Sequence, residues 1–286
     1  MSTSSAIIRS NLWISLSAAC ITAYFSIAFG ANYDINLFWL ILSAFLSTYA
    51  IYTFYRQQAK IWLWLVPAAL ALLLSFTLNA LNIIIGINLV MCLIYQTPFS
   101  KFPLRKNPWV KPLLISACWL NTIWLAPLLQ YAVPVWESMA ANISQQNNLS
   151  PYGPEQFLLT QWKSAAVNGI AIFCLYYALC LLTDLIQVKE DQQNGFLSFP
   201  IKYGLKTTFI SALLLLLPML AFSFIHFPYS LFMLDGWDAF GWSLCGTGVS
   251  IWVYKNPNHP KNAFWVDNII GWCALTFLVL HLIKIL

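Results

Sequence analysis

The sequence predicts an all-α polytopic membrane protein, a bundle of nine transmembrane helices forming one integral membrane domain over residues 1–286. Three observations carry that expectation. Hydrophobic residues make up 60% of the 286 positions and charged residues 8%, with a mean hydropathy of +0.71, whereas soluble domains carry roughly 25% charge. Apolar runs of about 20 residues, the length that crosses a bilayer as helix, recur along the chain. Backbone groups in lipid must be satisfied within their own segment, so such runs are helices. Finally, the basic residues fall almost entirely on one side of the resulting topology.

The expected spans are 11–30, 35–55, 61–78, 80–97, 112–133, 163–186, 207–227, 229–254 and 264–284. The polar stretch Met1–Ser10 precedes the first, and no small-residue cleavage site follows it, so it reads as a retained helix. Only Leu78-Asn79-Ala80 separates the third from the fourth, a connection short enough for an antiparallel helical hairpin. Pro134 closes the fifth and opens an extracytoplasmic loop, 134–162. Its Gln/Asn-rich middle is read as a surface loop with a short interfacial helix, anchored by Trp136 and Trp162. The sixth span ends in an acidic stretch. Gly195, Pro200 and Gly204 punctuate the loop before the seventh, and Lys255 and Lys261 lie between the eighth and ninth.

Twelve of the fourteen basic residues lie at the N-terminus or in loops after even-numbered helices; only Lys163 and Lys284 do not. The positive-inside rule then puts the N-terminus in the cytoplasm and the C-terminus outside, in what reads as a bacterial inner membrane. The net charge of +5 is accounted for by this topology and by attraction to anionic lipid headgroups; no nucleic-acid partner is implied. Cys20, Cys92, Cys118, Cys174, Cys180, Cys245 and Cys273 show no CxxC spacing and read as packing residues. Asn79, Asn82, Asn88, Asn121 and Asn168 read as interhelical hydrogen-bonding groups.

Chemistry concentrates after Thr183. Three of the nine acidic residues, Asp184, Glu190 and Asp191, stand at the end of the sixth apolar run, where a carboxylate is costly unless it pairs, reaches water or holds a cation. At 100° per residue, Asp184, Gln187 and Asp191 fall at about 0, 300 and 700°, one narrow helical face, while Glu190 points about 120° away. Two carboxylates and an amide on one face make an oxygen-rich patch of the kind that binds magnesium together with a phosphate. Lys189, Lys202 and Lys206 stand nearby.

The order Asp184, Gln187, Asp191, Gly195, Ser198, Pro200, Gly204 resembles the second aspartate motif of the UbiA-type intramembrane prenyltransferases, which precedes their seventh helix. The segment from Tyr95-Gln96-Thr97-Pro98-Phe99 to Trp109-Val110-Lys111 is similar to the fourth-to-fifth helix loop of a divergent bacterial branch. The resemblance implies a nine-helix UbiA-type fold and transfer of a prenyl group from a polyprenyl diphosphate to a small or lipid acceptor. It implies a magnesium site at Asp184 and Asp191, with Gln187 on the same face. The family's first motif is replaced here by Thr53, Phe54 and Gln57 where an Asn and two Asp are expected, so at most one ion is implied. Arg56, Lys60 and Lys202 are then the candidate diphosphate contacts, with Lys101, Arg105 and Lys106 at the cavity mouth. Two alternatives stay open: a non-catalytic protein of the same fold that binds lipid or a partner, and a small-solute transporter. Against the transporter, the sequence has no evident repeat and no ionisable pathway at mid-membrane.

Overall fold

The computed structural model describes residues 3–55, 61–76, 83–84, 86–88, 90–91, 107–145, 153–193, 196–225, 236–259 and 261–285. Most of these are helical, with no strand among them. The elements are α1 (Thr3–Ala28), α2 (Ile35–Tyr55), α3 (Trp62–Ser75), α4 (Val110–Leu120), α5 (Val133–Gln145), α6 (Pro154–Ile186), α7 (Val188–Gln193), α8 (Phe199–Tyr203), α9 (Leu205–Ile225), α10 (Gly236–Lys255) and α11 (Asn262–Ile285). Asn11–Ala28, Ile35–Phe54, Val110–Ser144, Pro154–Ile186 and Leu205–Phe224 are long and apolar enough to cross a membrane, and Trp62–Ser75 is a shorter apolar helix. The protein is an integral membrane protein, although the described residues do not fix the count at nine crossings.

Local sequence sets the helix ends. Asp34 accepts the Leu37 N–H at 2.9 Å and caps α2, supplying the acceptor that a helix N-terminus lacks. Gly30, with φ of 87°, ends α1 while Ala31 N–H returns to Ser26 O, a left-handed closure that glycine adopts without strain. Gly204, φ 88°, does the same work between α8 and α9.

The segment read as the loop 134–162 is largely helical. Helix α4 continues through two π-helical turns, Asn121–Leu125 and Leu128–Ala132, into α5. The sequence places the end of the fifth span at 133, ahead of Pro134. Instead, the wider turns flank Pro127 and lead into Pro134, whose missing N–H groups break the regular ladder without ending it. Helix α6 begins at Pro154 rather than at 163 and runs 33 residues, about 50 Å at 1.5 Å per residue. Trp136 and Trp162, expected as separate interfacial anchors, pack edge to face on each other at 5.6 Å, with Trp136 buried.

Helix α6 is the hub of the bundle and packs against α4, α5, α9, α10 and α11, while α1 packs against α2, α11 and the first π turn. The main core gathers Phe25, Trp124, Leu175, Phe222 and Trp242 from five of these segments. Small residues allow the closest approaches. A Cβ on Gly169 would stand 3.1 Å from the Trp124 ring, and one on Gly271 would meet the Ser17 side chain and lie 2.7 Å from its Cα. Asn88 donates to Thr122 Oγ1 at 2.8 Å and accepts from Asn121 at 3.0 Å, so these two asparagines do form the interhelical bonds read from sequence.

Candidate functional site

The site forms where the C-terminal end of α6, the short helices α7 and α8, and the first turn of α4 meet. Helix α6 stops at Ile186, and Gln187 leaves helical geometry with φ −90° and ψ 5°. The hydrogen bonds Gln187 N–H to Thr183 O and Asp191 N–H to Gln187 O nevertheless bridge the break. That continuity keeps Asp184, Gln187 and Asp191 on one side. Asp184 is fully buried and Asp191 is buried, while Glu190 is exposed.

A lysine stands against all three. Lys111 Nζ lies 2.6 Å from Asp184 Oδ1 and 3.9 Å from Asp191 Oδ2, and donates to Gln187 Oε1 at 3.1 Å. The Gln187 contact is the aligned hydrogen bond; the carboxylates are held by charge. Asp184 Oδ2, Asp191 Oδ2 and Ser198 Oγ lack hydrogen bonds of good geometry. Sequence reading counted Lys111 among the topological charges and missed this role. Its signal was a lysine in the first turn of an apolar helix, where the helix dipole disfavours a cation by about 0.3–1 kcal/mol.

The start of α4 fixes that lysine. Asn107 Oδ1 accepts the Trp109 N–H at 3.1 Å and the Val110 N–H reaches Asn107 O, closing the turn ahead of the helix. Pro112 sits in the first turn, where its missing N–H is harmless. Trp109 braces α4 against α8: its ring meets Phe199 edge to face at 4.7 Å, and its Nε1 donates to the Tyr203 hydroxyl at 3.0 Å. That hydrogen bond, with Lys202 beside it, holds the Tyr203 phenol below its usual pKa. Below Lys111, Ser116 Oγ lies 3.8 Å from Cys180 Sγ.

The other sequence candidates divide. Lys202 is exposed, with its ammonium 5.1 Å from the Tyr203 ring centre, and no contact with the carboxylates joins it to the site. Arg56, Lys60, Lys101, Arg105 and Lys106 lie outside the described residues. At the positions of the absent first motif, Thr53 is buried and accepts from Asn11 Nδ2 at 3.1 Å, and Phe54 packs on Trp64 at 4.9 Å; Gln57 is outside the described residues.

Two helical turns from Asp184, about 12 Å along α6, the surroundings become aromatic. Tyr176 stacks on Trp119 at 4.9 Å and 17°, and Trp119 Nε1 donates to the Tyr52 hydroxyl at 3.3 Å. This joins α2, α4 and α6 beneath the charged groups. The buried Tyr176 hydroxyl and the nearby indole N–H groups of Trp124 and Trp242 have no hydrogen-bond partner.

The implied magnesium can be tested against this arrangement. The ion takes oxygen ligands at about 2.0–2.1 Å in octahedral order. Here the two carboxylates and the amide converge on an ammonium, and no group of three or more His, Cys, Asp or Glu gathers among the described residues. The residues as arranged do not fit a divalent cation; one would fit only after Lys111 withdrew.

No family model matches the chain, and no curated protein matches it. A solved structure of digeranylgeranylglyceryl phosphate synthase aligns over 95% of this chain and 94% of that one, with a TM-score of 0.52 and 15% identity. That synthase is a UbiA-type membrane prenyltransferase. At such an identity the likeness is one of fold, and at that level the resemblance read from the acidic motif stands.

Proposed function

We propose that this chain takes a polyprenyl diphosphate from the cytoplasmic side of a bacterial inner membrane and transfers its prenyl group to a small or lipid acceptor. The observation that carries this reading is the pairing, within a UbiA-type fold, of a buried charged cluster at one end of α6 with an aromatic interior two turns along the same helix. Such a pairing suits a substrate with a charged head and a long apolar tail. In the transfer, the allylic C–O bond breaks and the diphosphate leaves with the bonding electrons. The acceptor's nucleophilic atom then bonds the allylic carbon and loses its proton to the departing diphosphate or to water. The ring faces of Tyr52, Trp119 and Tyr176 supply negative potential for the allylic cation. Lys202, and beyond the described residues Arg56, Lys60, Lys101, Arg105 and Lys106, supply the positive field that draws the anionic head. The side of the membrane follows from the placement of the basic residues.

A second reading, lipid binding without turnover, is favoured by one observation. The positions where the family carries its first acidic motif hold Thr53, bonded to Asn11, and Phe54, packed on Trp64. The two readings separate in vesicles containing the purified protein, labelled geranylgeranyl diphosphate and a bacterial membrane-lipid extract as acceptor. Transfer predicts a labelled apolar product, formed more slowly by Asp191→Ala, which removes one of the two carboxylates that hold the Lys111 ammonium in the charged cluster. Glu190→Ala leaves the rate unchanged. Bound label with no product from any allylic diphosphate contradicts transfer and supports the second reading.

A further inference from the structure

The two buried carboxylates converge on a side chain of the protein itself. We propose that Lys111 is a built-in substitute for a divalent cation: its ammonium gathers Asp184, Gln187 and Asp191, so the site needs no magnesium and excludes it. Three observations support this independently of one another. The ammonium is within 4 Å of both carboxylates and bonded to the amide between them, and these are the oxygens a metal would take. Asp184 is fully buried, and a charged carboxylate is tolerated there when a cation is held against it, as Lys111 is. The lysine sits in the first turn of α4 against the helix dipole, held there by Trp109 and the Asn107 turn. A flexible surface lysine has no such bracing.

The proposal also assigns the contact with an anionic head. The Lys111 side chain remains 23% exposed, so the residue that gathers the carboxylates is reached from outside the cluster. A diphosphate arriving at the site meets this cation, and Lys111 takes the charge-neutralising role of a metal. This second half rests on the prenyl-diphosphate reading above; the exclusion of metal does not.

The test uses the full-length chain purified in detergent, with manganese(II) as the probe and its bound fraction read by electron paramagnetic resonance. Wild type is expected to bind no ion at the site. Lys111→Met opens three oxygen donors and raises manganese affinity by about tenfold or more, since a positive charge within 4 Å no longer opposes the ion. Adding Asp191→Asn to Lys111→Met abolishes the gain, and Lys111→Arg stays blind to the metal. Stoichiometric manganese binding by wild type that Asp191→Asn removes overturns the proposal, whatever the variants do, and so does a folded Lys111→Met with no gain. A parallel titration of wild type with geranylgeranyl diphosphate, with and without chelator, keeps the two readings apart. Binding that survives chelation supports Lys111 as the cation, and binding lost on chelation overturns it. If this ligand is not bound at all, the prenyl-diphosphate reading and the Lys111–diphosphate contact fail together, and the manganese result alone decides the metal-exclusion half.

Discussion

Replacing Lys111 with methionine keeps most of the side-chain volume and removes the charge that faces Asp184 and Asp191. Asp184 is fully buried, and breaking a buried ion pair by deleting one partner costs about 3–5 kcal/mol, because the other charge is left uncompensated. The Lys111 side chain is 23% exposed, so water screens one end of the pair and the cost falls to or below the bottom of that range, about 2–3 kcal/mol. For a chain of this size 1 kcal/mol moves the melting temperature by roughly 2–4 °C, so Lys111→Met should melt roughly 4–12 °C below wild type. The double variant Lys111→Met/Asp184→Asn replaces the pair with two neutral groups and should recover at least half of that loss. The assay is thermal unfolding in one detergent at one scan rate, followed by tryptophan fluorescence. A Lys111→Met protein that melts with wild type, or a double variant less stable than the single one, would refute the idea that charge holds this corner together.

Two further outcomes test the packing of the bundle. Gly271→Ala pushes a methyl group into Ser17 on α1, whose Cα lies 2.7 Å from the new atom; the overpacking should destabilise the protein by about 1–3 kcal/mol, read as a lower melting temperature, whereas Gly248→Ala, which meets nothing within 4 Å, should not. The Cys245 and Cys273 sulfurs lie 3.2 Å apart between α10 and α11. A mild thiol oxidant should therefore join these helices, so that fragments cut in the 256–261 connection stay linked until reduced, and Cys245→Ser should prevent it.

Much of the architecture was legible because bilayer crossing is written locally, in apolar runs and in the charges that flank them. The common side of Asp184, Gln187 and Asp191 followed from helical angles alone, since the hydrogen bonds across Gln187 preserve the helical register through the break. Lys111 was not legible in the same way. It lies 73 positions before Asp184, and its one local mark, a place at the start of an apolar helix, does not point to the carboxylates; the charge pattern assigned it to one loop with Lys101, Arg105 and Lys106. Only the antiparallel packing of α4 on α6 brings it to the carboxylates. The continuous run from α4 into α5 was hidden for a different reason. Proline ends a regular helix, and the π turns that carry the chain past Pro127 to Pro134 leave no mark in hydropathy.

On the proposed reading, a prenyl diphosphate lies with its head at Lys111 and its tail along Trp119 and Tyr176. Photolabelling of the purified protein in vesicles tests it most directly, using an allylic diphosphate with a diazirine in the tail and mass spectrometry to locate the adducts. The account predicts adducts on 109–124 of the α4 segment and 173–187 of α6, suppressed by excess geranylgeranyl diphosphate and shifted or lost in Lys111→Met. Adducts confined to exposed residues away from the site, such as Trp13, Trp62 or Leu214, unaffected by competitor, would contradict it.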